Sequence, residues 1–276
     1  MKFETIKKAC ESVGVGYLGR ANGSSKIIKN LKVGQYTYSL YLSPAMTSGY
    51  NVCQGSTPEC RLGCLATSGR AGIELLSGRT RTQESRIKKT RLFFEETNFF
   101  MDWLIAEMKH YQQKAKKEGY LFSARLNCTS DIDWANVLVN GKNIFEIFPD
   151  VSFYDYTKIP VKFSNLPSNY HLTFSYTGRN WEMCEKLLNK GHNIAMVFNV
   201  KNEAQLPAKF KGYDVVNGDE TDYRPNDGNG VIIGLKWKHI ANKVAEKQVL
   251  NSCFVVNPSD LKLIHEIKKV KKAMVA

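Results

Sequence analysis

The chain lacks any apolar run near the about eighteen residues that a membrane-spanning helix needs. Its first residues, Met1-Lys-Phe-Glu-Thr-Ile-Lys-Lys8, lack the apolar core of a secretory signal. These absences predict a protein without a membrane segment, in the cytoplasm. Internal repeats, low-complexity tracts and linker-like stretches are also missing, so residues 1–276 read as one domain. There is no nucleophile elbow, P-loop or dinucleotide-binding glycine fingerprint, and Gly14-Val-Gly16 does not follow a strand. Acidic residues are few beside basic ones, 26 Asp and Glu against 39 Lys and Arg, which leaves a formal net charge of +13. Such a field attracts polyanions, so nucleic acid is an expected partner.

A fourth cysteine is what the main motif lacks. Seven cysteines, an odd number, exclude a fully paired disulfide framework. In a reducing compartment, clustered thiols bind metal or do chemistry more often than they form bridges. Cys10, Cys184 and Cys253 are scattered and read as small buried hydrophobes. Cys53, Cys60 and Cys64 fall together in a loop, 44–78, rich in Gly, Ser and Pro, with the spacing C-x6-C-x3-C. That spacing matches no common zinc ribbon or finger. A structural zinc site takes four ligands, whereas three thiolates leave one metal position open for chemistry. The expectation is an iron–sulfur cluster, of the four-iron four-sulfur type, with an exchangeable fourth ligand. The alternatives are zinc completed by a distant Cys or one of five histidines, and no metal at all.

Basic charge concentrates in two runs. In the first, Arg79, Arg81, Arg86, Lys88, Lys89 and Arg91 stand against the single acid Glu84, just after the cysteine loop. These six are the candidate nucleic-acid contacts. The second, Lys262 to Lys272, reads as a solvated helix face.

Short apolar or β-branched runs recur at Tyr36–Ser43, Leu121–Asn127, Val151–Tyr156, His171–Ser175, Asn193–Val200, Tyr213–Asn217, Val231–Leu235 and Ser252–Val256. Several are apolar almost throughout, as parallel strands covered on both faces are. Helical patterns lie between many of them. The longest is a basic helix over 80–117; others cover Asp133–Phe148, Asn180–Asn189, Lys238–Leu250 and Ser259–Ala273, the last with Ser259-Asp260 as N-cap. This alternation predicts α/β architecture: a complete or partial parallel β/α barrel, with a doubly wound open sheet as runner-up. Polar residues bunch at the C-terminal ends of the strands. Among them are Asp131, Asp155, Lys158, Ser175, Asn199, Asp219, Asp222 and Arg224. A barrel brings such ends to one mouth, where active sites form and a small molecule binds.

With these residues laid out, the chain resembles the phage and bacterial family called gene product eighty-eight. The matching stretches are Leu42-Ser-Pro-Ala45, Ser48-Gly-Tyr-Asn-Val-Cys53, Cys60 to Gly69, Arg125-Leu-Asn127 with Thr129-Ser-Asp131, Tyr154-Asp-Tyr-Thr-Lys158, and Val216 to Arg224 with Gly230-Val-Ile-Ile-Gly-Leu235. Two positions depart from it: Cys128 stands where glycine is expected and Asn217 where aspartate is expected. For a phage protein, the compartment implied is the host cytoplasm. A looser similarity is to radical S-adenosylmethionine enzymes, which carry a three-cysteine cluster in a loop after the first strand of a β/α barrel. Their usual C-x3-C-x2-C spacing is absent. That resemblance implies a cluster on Cys53, Cys60 and Cys64. It also implies S-adenosylmethionine against the strand Gly230, Ile232 and Gly234, with Ser175 and Asn199 at its ribose or amino-acid groups. Asp131, Asp155, Lys158, Asp219, Asp222 and Arg224 would then bind substrate or move protons. Two other readings are a nucleic-acid-binding protein stapled by zinc or a structural cluster, and a metal-free hydrolase or transferase with a cysteine nucleophile.

Overall fold

The computed structural model describes residues 3–67, 72, 77, 78 and 80–258. Arg79, the Lys262–Lys272 run and the helix expected from Ser259 lie outside the described residues. In chain order come α1 (Phe3–Val13), β1 (Gly19–Ala21), β2 (Gln35–Leu40), α2 (Pro58–Leu62), α3 (Arg81–Glu95), α4 (Thr97–Lys117), β3 (Leu121–Arg125) and α5 (Ile144–Ile147). Then follow β4 (Ser152–Thr157), β5 (Tyr170–Ser175), α6 (Trp181–Leu188), β6 (Asn193–Phe198), β7 (Lys209–Phe210), β8 (Tyr213–Asn217), β9 (Ile232–Lys236), α7 (Lys243–Leu250) and β10 (Val255–Val256). No helix among the described residues is long and apolar enough to cross a membrane.

The strands form one ten-stranded sheet in the order β1-β2-β3-β4-β5-β6-β9-β8-β7, with β10 on β6. Only the edge pairs β1–β2 and β7–β8 are antiparallel. The sheet is open, since no ladder among the described residues joins its two ends, and β9 lies between β6 and β8 out of sequence order. All eight strands expected from the sequence are present. The two it does not announce, β1 and β7, are only three and two residues long, too short for any periodicity.

Strand alternation sorts the side chains onto two faces. Tyr36, Tyr38, Leu40, Phe122, Ala124, Phe153 and Leu172 join the buried side of α4, including Phe100, Trp103, Leu104 and Met108, in one apolar cluster. Each such large side chain contributes about 1.5–3 kcal/mol on burial. The intervening residues face the other way and are polar yet buried: Thr37, Ser39, Ser123 and Arg125. They are covered by two segments far apart in sequence. The 3-10 turn Ile27–Val33, before β2, meets the stretch after β8 through Lys29 Nζ to the Asp219 carbonyl at 2.7 Å and Asp222 N–H to Asn30 Oδ1 at 2.7 Å.

Two expected helices are broken. The pattern over 80–117 is interrupted at Glu96, whose φ of −136° and ψ of 51° are not helical. Glu95 and Glu96 would be unfavourable at the negative end of α3 but suit the positive start of α4. Over Asp133–Phe148, Asn140 and Gly141 take positive φ of 49° and 77°, and only the single turn α5 is α-helical. Asn-Gly is a turn dipeptide, and here it overrides the helical pattern.

Candidate active site

At the C-terminal ends of β3, β4, β5, β6 and β9 lies a cavity of about 230 Å³, lined among others by Cys53, Cys60, Cys64, Asp131, Lys158, Ser175, Asp219 and Asp222. The strands splay to make room for it. The β5–β6 ladder ends at Ser175↔Ala195, and β10 takes over on β6 from Val255↔Val197. This brings Phe254 to the cavity wall.

Two glycines seat the cysteine loop across this mouth. A Cβ on Gly55 would lie 2.9 Å from the Lys158 Cβ, and one on Gly63 would lie 3.1 Å from the Trp237 ring. Within the loop, Thr57 caps the single turn α2 by accepting from Cys60 N–H, with Pro58 at its first position. Cys53 is fixed against β3: its Sγ accepts from Ala45 N–H at 3.4 Å and donates to the Thr129 carbonyl at 3.7 Å. Burial pushes the Cys53 thiol up to about 11 and raises Cys64, and the neighbouring thiols add to both. Lys158 is half-buried beside them. Burial opposes its charge, but Cys60, Asp131 and Cys53 outweigh it and hold the ammonium above the ordinary lysine value.

The floor is ionic. Arg125 donates to both carboxylate oxygens of Asp222 at 3.0 and 2.8 Å. Tyr154 donates to the same carboxylate, and Lys26 stands 3.6 Å from Asp222 and 3.4 Å from Asp219. Burial would raise both aspartates, but Arg125 and Lys26 hold Asp222, and Lys26 holds Asp219, below the usual carboxylate range. Asp131 pairs with Lys162 at 2.8 Å and accepts from Thr157 and Lys158 N–H.

Of the residues singled out from the sequence, the three cysteines, Asp131, Lys158, Ser175, Asp219 and Asp222 meet in this one cavity. Others do not reach it. Asp155 is buried behind β3, accepting from Asn127 N–H and Tyr170, and burial pushes it up to about 7. Arg224 is fully buried beneath the floor, paired with Asp227 at 3.1 Å.

The glycine strand is placed differently from the expectation. Gly230 turns at the N-terminal end of β9, where its N–H reaches the Gly191 carbonyl. Ile232 is in the apolar core, and a Cβ on Gly234 would face Val215 and Leu206. The cavity instead receives Leu235, Lys236, Trp237 and Lys238 from this strand end. Asn199 is exposed and donates to Asn257. Glycine alternation alone cannot tell which end or face of a strand a ligand meets.

Cys128 lines the floor, not the thiol cluster. Its Sγ donates to the Arg125 carbonyl at 3.5 Å, and burial pushes it up to about 12, with Arg125, Asp155, Asp222 and Tyr41 as neighbours. Among the described residues, no three of His, Cys, Asp and Glu stand close enough to share a single metal ion.

The basic helix α3 divides its charge. Lys89 is buried over the Tyr17 ring at 4.5 Å, and burial lowers it to about 8. Arg86 lies over the Tyr41 ring at 5.4 Å, and Arg91 donates to the Ser48 carbonyl. Arg81 and Lys88 are exposed. Sequence reasoning missed Lys26, Tyr156, Trp237 and Lys238. Tyr154 and Tyr156 share one face of β4 by strand alternation, but a Tyr in a strand is ordinary, and Lys26 lies in a loop with no pattern.

The chain matches no curated protein and no solved structure. The family model described as Gene product 88 matches residues 17–253, which hold every strand of the sheet but β10, the cysteine loop and every cavity-lining residue except Phe254, so the chain belongs to the Gene product 88 family.

Proposed function

We propose that this cavity is the active site of an iron–sulfur enzyme of the radical S-adenosylmethionine kind, on a sheet curled as a partial β/α barrel. The single observation carrying the proposal is that the three thiols of the cysteine loop, Cys53, Cys60 and Cys64, line one cavity with a charged floor, where Cys128 Sγ is engaged with the Arg125 carbonyl. The partial-barrel reading is supported by the buried polar face, where residues before β2 and after β8 come together.

Cys53, Cys60 and Cys64 would hold the cluster, and the donor set fits it. The three thiols share one cavity, and thiolate sulfur is the donor that iron–sulfur clusters take. Half-buried thiols of raised pKa keep their protons until a cation displaces them, so metal uptake should release protons. When bound with S-adenosylmethionine and reduced by an external donor, such a cluster supplies one electron that breaks a sulfonium carbon–sulfur bond and starts radical chemistry.

The chain's own residues do the rest. Lys158 offsets the negative charge of the thiolates. Trp237, Phe254, Leu235 and Val197 form an apolar wall that limits water. Ser175 and Asp131 offer polar atoms at the rim, and Arg125, Asp222, Lys26 and Asp219 form a rigid floor. In the alternative reading, a metal-stapled nucleic-acid binder, the ionised floor has no task.

The test is anaerobic reconstitution with iron and sulfide. The expected result is a brown protein with about four irons per chain, and a cluster spectrum that changes on adding S-adenosylmethionine. Cys60→Ala should lose the iron. Full iron in Cys60→Ala, or a colourless protein after reconstitution, would overturn the reading.

A further inference from the structure

The charges around the cavity do not cancel. Asp131 is matched by Lys162, and Asp227 by Arg224. On the floor, Asp219 and Asp222 face three cations, Arg125, Lys26 and Lys238. Lys238 stands exposed at the rim, without a hydrogen bond or ion pair among the described residues. Burial within the mouth lowers it, and Lys26 adds to this. Two buried donors are also left over. Arg125 Nε has no hydrogen-bond partner, and its nearest carboxylate oxygen, on Asp155, is 4.0 Å away. Tyr156 Oη, on the ring that Arg125 overlies at 4.7 Å, has no partner either. Both side chains line the cavity. An unfilled buried donor is costly, and the group that satisfies it must accept hydrogen bonds.

We propose that the floor is an oxyanion subsite, formed by Arg125, Tyr156, Lys26 and Lys238, and that the substrate of this cavity carries a carboxylate or phosphoryl group. The inference rests on reading the cavity as an active site, but it does not depend on the cluster. Both donor atoms are closed off from solvent, so a single oxyanion between Lys26 and Lys238 would restore the charge balance and draw Tyr156 Oη and Arg125 Nε toward it. Charge-assisted bonds of this kind are the stronger ones available to a ligand. The cysteine loop, across the mouth, is left for the other end of the molecule.

The test uses the full-length, metal-free protein at low ionic strength, titrated calorimetrically with inorganic phosphate and, separately, with succinate. Saturable binding of at least one is expected, and the stronger of the two names the group. Lys238→Gln should weaken binding about tenfold, and Tyr156→Phe about fivefold. Tyr156→Phe removes only a hydroxyl without a partner, so its fold should survive. Lys247→Gln, on the exposed side of α7, should change nothing. No binding of either anion would overturn the proposal. So would binding that Lys238→Gln and Tyr156→Phe leave unchanged, which would place the anion elsewhere, as in the cavity beside His171 and His192 at the other end of the strands. Iron counts on reconstituted samples of the same variants report on the cluster separately. A protein that binds iron but no anion loses only the subsite; one that binds anion but no iron loses only the cluster.

Discussion

At the scale of single residues, the floor of the cavity depends on one pair. Arg125 and Asp222 are both buried and make two direct bonds. Removing one partner of such a pair leaves the other charge uncompensated, so Asp222→Ala should destabilise the protein by about 3–5 kcal/mol, read as a lower urea midpoint at unchanged slope. A loss under about 1 kcal/mol would mean that solvent reaches Arg125. Asp155 gives a pH signature. Burial raises it from the ordinary 3.8 to about 7, so the folded protein keeps a proton that the unfolded chain releases. The stability this confers is intact at acid pH and is lost as pH rises from about 4 to about 7, beyond which it is flat. Asp155→Asn should remove that slope from the urea-measured stability; an unchanged slope would assign it to other groups. The cysteines and strand-end acids were readable from sequence because their residue types are unusual at those positions. The donors of the anion floor were not, since a lone Lys in a loop or a Tyr in a strand is ordinary until the fold sets it beside others.

At the scale of elements, the strands were legible where length gave a pattern, and illegible where two or three residues pair at an edge. The helices were legible as apolar stripes, but their breaks turned on local chemistry: paired acids at Glu95 and Glu96, and the Asn140-Gly141 turn. The apolar run Ser252–Val256 announces β10, but nothing in it tells that the strand wedges against the end of β6 and opens the mouth. Gly178 permits that wedge. It has φ of +93°, and a Cβ there would lie 2.7 Å from the Cys253 carbonyl carbon and 2.8 Å from Phe254 N. Gly178→Ala therefore combines left-handed strain with a backbone clash. It should cost about 1–3 kcal/mol and loosen β10 before the rest of the sheet. Native-state hydrogen exchange should show lost protection at Asn199, whose N–H reaches the Val256 carbonyl, while Ile194, bonded to Val231, keeps its own. Equal loss at both sites would mean that β10 and β6 open as one unit.

At the scale of the whole molecule, the question is where an excess of +13 can act. Basic residues are numerous enough to draw any polyanion toward the surface, yet position decides which of them could contact one. On α3, Lys89 is lost to such a role: it is buried over Tyr17 near Glu107, with a pKa of about 8. Arg86 and Arg91 are engaged with Tyr41 and Ser48. Arg81 and Lys88 are exposed and remain able to meet phosphates. If α3 binds nucleic acid, affinity should fall steeply with salt, because each neutralised phosphate releases counterions. Charge reversal at Arg81 and Lys88 together should then reduce the slope of log affinity against log salt by about 1–2. Lys89→Met should leave the slope alone and change stability instead. Affinity indifferent to salt, or none at low ionic strength, would leave α3 a solvated helix beside the cavity. A slope that falls with Lys89→Met but not with the double reversal would mean that Lys89 leaves Tyr17 to reach the phosphates.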